Sequence, residues 1–140
     1  MLRLMSTRTM LTGALLVLGA LAALMPLVAE SEKPREIRIV ARQMSFYVDG
    51  GDAANPTITV KPGERVRLTL VNEDAGLDHD FAVPAWPLTT PLVEGTGTTT
   101  IVFDAPGKPG VTDYVCSRHA TMMTGTIEVA PGRTPIPSSR

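Results

Sequence analysis

The chain contains the stretch Tyr114-Val-Cys-Ser-Arg-His-Ala-Thr-Met-Met-Thr-Gly125, which brings a thiol, an imidazole and two thioethers close together. Sulfur is a soft donor, and a thiolate with two imidazoles and a weak axial thioether is the ligand set of a blue-copper centre. The stretch supplies Cys116, His119 and one methionine. The second imidazole must come from His79, because the chain has only two histidines.

Zinc is the main competing metal, since thiolates and imidazoles also bind it. A structural zinc site normally has four strong donors, whereas this chain offers only Cys116, His79 and His119. The remaining candidates are thioethers, which favour copper. We therefore expect one copper ion, held by these three residues and a methionine.

The two methionines, Met122 and Met123, are distinguished by the last predicted strand. Side chains alternate between the two faces of a strand, and Gly125, Ile127 and Val129 share the inward face. Continuing that parity backward directs Met123 to the metal and Met122 to the solvent. A turn at this point would shift the parity, so Met122 remains the alternative axial ligand.

The N-terminal segment, residues 1–29, has the pattern of an export signal. Arg3 and Arg8 precede a run from Met10 to Ala29 that contains no charged residue. This run is longer than a usual signal-peptide core and long enough to span a bilayer, so it is either a cleaved signal or a membrane anchor. The two arginines keep its start in the cytoplasm, so both outcomes place the domain outside the membrane, in the periplasm or a similar compartment.

Charge and cysteine content argue against a nucleic-acid-binding protein and against a fold held by internal disulfides. The formal net charge is -1, and no Lys/Arg run suggests a nucleic-acid partner. The single cysteine cannot form an internal disulfide. A lone thiol in an exported protein is either buried and inert or occupied by chemistry.

The remaining chain predicts one β domain at residues 36–130, between a polar linker at 30–35 and a disordered tail at 131–140. Within the domain, apolar residues alternate with period two in short segments separated by Gly and Pro turns. Seven or eight such strands predict an all-β fold, an antiparallel β-sandwich, which follows an apolar N-terminal helix.

The segment 77–83 is predicted to be one of these strands. Its alternation turns His79 inward and turns Asp78 and Asp80 outward. The proline-rich segment 84–92 shows no period and is predicted to be a loop.

These residues resemble the ligand motifs of the cupredoxins, the single-domain type 1 blue-copper proteins of the plastocyanin, azurin and amicyanin kind. The resemblance covers about residues 36–130 and rests on Tyr114–His119, on Met123–Val129 and on an upstream His79. The family ends its site with Met-x-Gly before the last strand, which independently favours Met123 as axial ligand. The resemblance implies a Greek-key β-sandwich with one type 1 copper ion.

The sequence departs from the family pattern at two positions. Asp80 follows the first histidine, where the family often has an Asn whose amide ties the two ligand loops together. Arg118 stands in the ligand loop, where the family often has Pro. Neither departure removes a ligand, but both change the surroundings that set a reduction potential. The similar copper domain of cytochrome oxidase subunit II needs two cysteines for its dinuclear centre, so a single cysteine restricts this chain to a mononuclear site.

The resemblance implies a one-electron carrier that cycles between Cu(I) and Cu(II) outside the cytoplasmic membrane. Four fixed ligands leave no open position for a small-molecule substrate, and no histidine remains for a second copper site. The chain is therefore not expected to be an enzyme. We expect redox protein partners to dock at the edge of His119, beside Ala120, Thr121 and Met122.

Two alternatives remain open. Pro84 and Trp86 extend the docking patch if they lie near His79, whereas Trp86 is otherwise a core residue. A copper chaperone or reservoir of the exported compartment would share most of the ligands, and the methionines, including Met44, are compatible with it.

Overall fold

The computed structural model describes residues 33–131. The predicted signal or anchor at 1–29, residues 30–32 of the predicted linker at 30–35 and all of the tail except Pro131 lie outside these residues. Those assignments stay predictions. Among the residues that the structure describes, no helix has the length and apolar character needed to cross a membrane.

Residues 33–131 form nine β-strands and no helix. The strands are β1 Arg35–Arg42, β2 Ser45–Val48, β3 Ile58–Val60, β4 Arg65–Asn72, β5 Ala82–Val83, β6 Leu88–Thr89, β7 Gly97–Asp104, β8 Gly110–Val115 and β9 Thr124–Val129. One sheet has the order β2-β1-β4-β7, and the other has the order β3-β9-β8-β5-β6. The prediction of an all-β sandwich is confirmed.

Two strand pairings in this sandwich are parallel. β1 lies parallel to β4 and β3 lies parallel to β9, whereas the other pairings are antiparallel. Between β1 and β4 the chain visits β3 in the other sheet and then returns, which brings β4 back in the direction of β1. The sheets are therefore mixed, although most of their pairings are antiparallel as the sequence predicts.

The core lies between the two sheets, and β4 shows its regular alternation best. Val66, Leu68 and Leu70 are fully buried, while Arg65 and Arg67 are exposed. Burying one such aliphatic side chain stabilises the fold by about 1.5–3 kcal/mol. This alternation holds the first sheet against the sheet that carries the candidate metal centre.

An aromatic cluster of Phe46, Phe81 and Tyr114 packs beside both segments that carry the candidate ligands. The rings of Phe81 and Tyr114 stack with centroids 4.9 Å apart, and Phe46 meets both rings edge-on. Phe81 follows His79 by two residues, and Tyr114 precedes Cys116 by two. All three aromatic side chains are fully buried, so the cluster fixes the relative position of the two segments.

The structure corrects the strand predictions around residues 77–92. Only Ala82–Val83 of the predicted strand is regular, and His79 forms an isolated bridge with Val93. The short strand β6 lies inside the predicted loop, because Leu88 is buried and pairs with Val83.

Trp86 packs against the core, with its ring 6.2 Å from the ring of Phe103. This placement matches the core interpretation of Trp86.

Candidate metal centre

Cys116 follows directly after β8, and the loop behind it closes on itself through backbone hydrogen bonds. The N–H of Cys116 donates to the carbonyl of Met123 at 3.0 Å, and the N–H of His119 donates to the carbonyl of Cys116 at 3.0 Å. The N–H of Met123 donates to the carbonyl of His119 at 2.9 Å. The loop therefore folds back over Cys116, as the sequence predicts.

His79 approaches Cys116 from the second segment that carries a candidate ligand, the connection between β4 and β5. Its N–H donates to the carbonyl of Val93 at 3.1 Å, and its carbonyl accepts from the N–H of Val93 at 2.9 Å. The imidazole is fully buried, as predicted. The Val93 segment thus holds the backbone of His79 in place while the side chain points into the sandwich.

The structure brings His79, Cys116 and His119 into one cluster. The Sγ atom of Cys116 lies 3.6 Å from the Nδ1 atom of each histidine. The three donor atoms all lie within 4.8 Å of one another, and the two imidazole rings meet at an interplanar angle of 65°. His79 and Cys116 are buried, whereas His119 is half-buried.

The two methionines of the loop have opposite surroundings. Met123 is fully buried, whereas Met122 is 59% exposed. The parity of β9 predicts these orientations, because β9 begins at Thr124 and the alternation continues back through both residues. Met123 is joined to Cys116 and His119 by the backbone hydrogen bonds of the loop.

Solved structures of blue copper proteins match this two-sheet β-sandwich. Auracyanin A, a "blue" copper protein from the green thermophilic photosynthetic bacterium Chloroflexus aurantiacus, matches with a TM-score of 0.54 and 21% identity, covering 70% of this chain and 100% of that chain. Reduced auracyanin from Roseiflexus castenholzii matches with a TM-score of 0.55 and 21% identity over 69% of this chain and 97% of that chain. The chain has the cupredoxin fold.

A chain from a heme-copper terminal oxidase dimer also matches the fold of this structure. It matches with a TM-score of 0.57 and 19% identity, covering 88% of this chain and 98% of that chain. No protein-family model and no curated protein matches the chain.

The donor set of the cluster fits one type 1 copper ion. The cluster offers one thiolate and two imidazole nitrogens, and Met123 adds a buried thioether. A trigonal His₂Cys set with a weak axial thioether suits copper, whereas a structural zinc site would require a fourth strong donor. Within residues 33–131, no other cluster of three or more His, Cys, Asp or Glu side chains has metal-binding geometry.

Asp80 is one residue whose orientation the sequence predicts wrongly. Its side chain is 6% exposed, and its Oδ1 atom accepts a hydrogen bond of 2.6 Å from the N–H of Ser117. The strand parity fails because residues 79–81 do not form a regular strand. Asp80 therefore ties the two segments that carry the candidate ligands together, which is the role that the family resemblance assigns to an Asn.

The Asp80 carboxylate also influences the thiol of Cys116. Burial raises the pKa of this thiol above its ordinary value, and the nearby Asp80 charge raises it further. The backbone N–H groups of Asp80 and Arg118 act in the opposite direction. The net direction is upward, so the thiol of the metal-free protein resists ionisation.

Asp74 contacts the far side of His79, and sequence reasoning missed it. Its Oδ2 atom lies 3.0 Å from the Nε2 atom of His79. Burial opposes ionisation of this carboxyl, but the backbone N–H groups of Gln43 and Met44 and the His79 imidazole outweigh burial and lower the pKa of Asp74. In the sequence, Asp74 is only a polar residue in the turn after β4, so no local pattern connects it to His79.

Asn55 contacts the ligand loop through its side-chain amide. Its side-chain amide donates to the carbonyl of Met122 at 3.0 Å, and its Oδ1 atom accepts from the N–H of Phe46 at 2.9 Å. The Tyr114 hydroxyl donates to the carbonyl of Pro56 at 2.6 Å. The connection between β2 and β3 is thus joined to the ligand loop through Asn55 and to β8 through Tyr114.

Arg118 lies on the outer surface of the ligand loop. Its guanidinium lies 3.8 Å from Oδ2 of Asp78, and both side chains are accessible to solvent. An exposed ion pair of this kind contributes about 0–1 kcal/mol. Arg118 thus links the two ligand segments only weakly, in contrast to the buried hydrogen bond of Asp80.

Proposed function

We propose that this protein is a one-electron carrier that holds one copper ion through His79, Cys116, His119 and, as axial ligand, Met123. The observation that carries the proposal is the cluster in which one sulfur atom lies 3.6 Å from each of two imidazole nitrogens. A bound copper ion supplies a Cu(I)/Cu(II) couple that exchanges a single electron.

The packing around the site keeps its donors in place. The side chains of Cys116, His79 and Met123 are fully buried, so water has little access to them. Close-packed interiors resist rearrangement. We infer that the protein holds nearly the same donor geometry in both oxidation states, which favours rapid electron exchange.

We place the contact with redox partners at His119. Its side chain is half-buried, whereas the side chain of His79 is fully buried. Ala120, Thr121 and Met122 are exposed around it and form a small, weakly polar surface. This surface suits brief contact with another redox protein rather than a tight complex. Trp86 packs against the core and does not belong to the proposed contact.

The use of both histidines in one cluster supports a carrier rather than an enzyme. The chain has two histidines, and both belong to the cluster. A second copper site rich in histidine would therefore have to come from a partner subunit. No nucleic acid or small-molecule substrate is part of the proposal.

We infer that the domain acts outside the cytoplasmic membrane, in the periplasm or an equivalent compartment. The support is the charge-free run from Met10 to Ala29 after Arg3 and Arg8. Residues 10–29 then act as a membrane anchor or as part of a cleaved signal. The mass of the mature protein distinguishes the two, because a cleaved protein lacks residues 1–29.

The absorption spectrum of the copper-loaded protein tests the proposed function. We expect a strong visible thiolate-to-Cu(II) band and reversible one-electron cycling, and Cys116→Ser should abolish the band. Excess copper should also raise the melting temperature of the wild-type protein, since a ligand at about 100 times its Kd stabilises a fold by about 2.7 kcal/mol. A colourless protein that binds only Cu(I) would support the chaperone or reservoir alternative instead.

A further inference from the structure

The Asp74 carboxylate lies within hydrogen-bonding distance of three nitrogen atoms that come from two different parts of the chain. Its Oδ1 atom accepts from the N–H of Gln43 at 2.7 Å, and its Oδ2 atom accepts from the N–H of Met44 at 3.2 Å. The same Oδ2 atom lies 3.0 Å from Nε2 of His79. The carboxylate is 14% exposed and the imidazole is fully buried, so solvent competes little for this contact.

We propose that Asp74 is a positioning residue of the copper centre. It holds the Nε2–H of His79, directs Nδ1 of that ring to the metal, and ties the ring to the turn between β1 and β2. The inference rests on the proposed function only in its statement about copper. The contacts of Asp74 with Gln43, Met44 and His79 form without a metal ion.

The geometry assigns the proton of the His79 ring. A carboxylate that already accepts two backbone N–H groups acts as an acceptor, so the hydrogen between Asp74 and His79 lies on Nε2. Nδ1 then carries the lone pair, and it is the atom that lies 3.6 Å from Sγ of Cys116. The ring is thus set for metal binding before any metal arrives.

The two histidines of the cluster differ in this respect. Across residues 33–131, no side chain holds the Nε2 atom of His119 as Asp74 holds that of His79. His119 is half-buried and lies on the loop. The buried ligand is therefore fixed by a carboxylate, whereas the half-buried ligand has no such contact among the described residues.

The turn between β1 and β2 depends on the same carboxylate. Arg42 pairs with Ser45, which leaves Gln43 and Met44 as a two-residue turn with φ angles of 52° and 59°. Turns of this kind favour Asn and Gly, because other residues rarely adopt a positive φ. Asp74 offsets this cost by accepting both N–H groups of the turn.

A carboxylate behind a ligating histidine also changes the electronic properties of the site. It makes the imidazole a stronger donor to a metal. Loss of such a hydrogen-bond partner typically lowers metal affinity or activity by about 10–100-fold. A stronger donor stabilises Cu(II) relative to Cu(I). Removing the charge of Asp74 should therefore raise the reduction potential while the ligands remain in place.

The main test compares Asp74→Asn with Asp78→Asn. Both variants remove one carboxylate from the same connection, but Asp78 bonds to the N–H of Gly95 and faces Arg118 rather than an imidazole. We expect the reduction potential to rise more in Asp74→Asn than in Asp78→Asn, with the visible band retained in both. An equal shift in the two variants would overturn the assignment.

A second measurement uses the wild-type protein without metal. Nitrogen-15 NMR of the histidine rings should show His79 with hydrogen on Nε2, and in Asp74→Ala the amides of Gln43 and Met44 should exchange faster than in the wild type. A wild-type His79 ring with hydrogen on Nδ1 and none on Nε2 would overturn the proposal. Because this experiment needs no copper, it decides the role of Asp74 even if the protein fails to bind copper and the proposed function fails.

Discussion

The N–H of Ser117 donates a hydrogen bond of 2.6 Å to the Oδ1 atom of Asp80, so the residue after one candidate ligand is joined to the residue after another. Cys116 precedes Ser117, and His79 precedes Asp80. The Asp80 side chain is 6% exposed, so this bond lies in a poorly solvated place. An amide at the same position would keep the acceptor and remove the charge.

Replacing Asp80 by Asn should raise the reduction potential of the copper-loaded protein. The charge of Asp80 disfavours a second negative charge on the thiolate of Cys116 and favours the more positive Cu(II), so removing it favours reduction. Voltammetry measures the shift, with Asp113→Asn as an exposed carboxylate control on β8. Equal shifts in the two variants would show that only the overall charge matters.

Asp80→Ala should additionally lose stability, since it leaves the N–H of Ser117 without its acceptor. The expected loss is about 1–3 kcal/mol in urea unfolding of the metal-free protein. Asp80→Asn should lose clearly less. If both variants unfold at the same urea concentration, the hydrogen bond does not hold the two segments together.

Met123→Leu should shift the reduction potential upward, whereas Met122→Leu should leave it nearly unchanged. Met123 is fully buried and Met122 is 59% exposed. Exchange of Met for Leu nearly conserves volume and costs less than about 1.5 kcal/mol, so it isolates the sulfur atom. Voltammetry and the visible spectrum measure the effect, and a larger shift in Met122→Leu would assign the axial position to Met122.

Gly125→Ala should destabilise the fold at the pairing of β8 with β9, because a Cβ atom at this position would overlap the hydroxyl and ring of Tyr114. Overpacking of this kind costs about 1–3 kcal/mol. Gly110→Ala is the matched control, since nothing lies near its added Cβ. Urea unfolding measures both variants.

Combining Gly125→Ala with Tyr114→Phe tests the cause of that loss. Removing the hydroxyl relieves part of the overlap but also removes the hydrogen bond to the carbonyl of Pro56. We expect the losses of the two single variants to add to more than the loss of the double variant. Strictly additive losses would mean that Gly125 acts through another contact.

The sequence predicts the cluster largely through local information. Cys116 and His119 lie three residues apart after a strand, and the parity of β9 separates Met122 from Met123 because the alternation has no interruption there. His79 is predicted because the chain has no other histidine outside the loop. None of these steps requires knowledge of distant contacts.

The features that the sequence does not predict depend on distant contacts or irregular backbone. Asp74 meets Gln43 and Met44 some thirty residues earlier, as the separations of 31 and 30 positions show. Asp80 turns inward because the strand does not extend to it. The sequence also does not predict which strand pairings are parallel, since side chains alternate with the same period in parallel and antiparallel strands.

The stability of the metal-free protein should fall as the pH rises above about 8.5, the ordinary pKa of a cysteine thiol. Burial raises the pKa of Cys116 in the folded protein, so the unfolded chain loses its thiol proton at lower pH than the folded one. The unfolded state then binds fewer protons, which makes the free energy of unfolding decrease with pH until the folded thiol also ionises. Below the unfolded pKa this contribution is fully present.

Urea unfolding of the metal-free protein at a series of pH values measures this decrease, with Cys116→Ser as the control that lacks the titrating thiol. Tyr114 also has a raised pKa because it is buried, but its ordinary value of 10.0 places its effect at higher pH and in both proteins. Between the two ordinary values, only the wild type should lose stability. Parallel curves for wild type and Cys116→Ser would contradict the raised thiol pKa. Copper requires the thiolate, so the same raised pKa makes copper binding release a proton, and the affinity should increase with pH over this range.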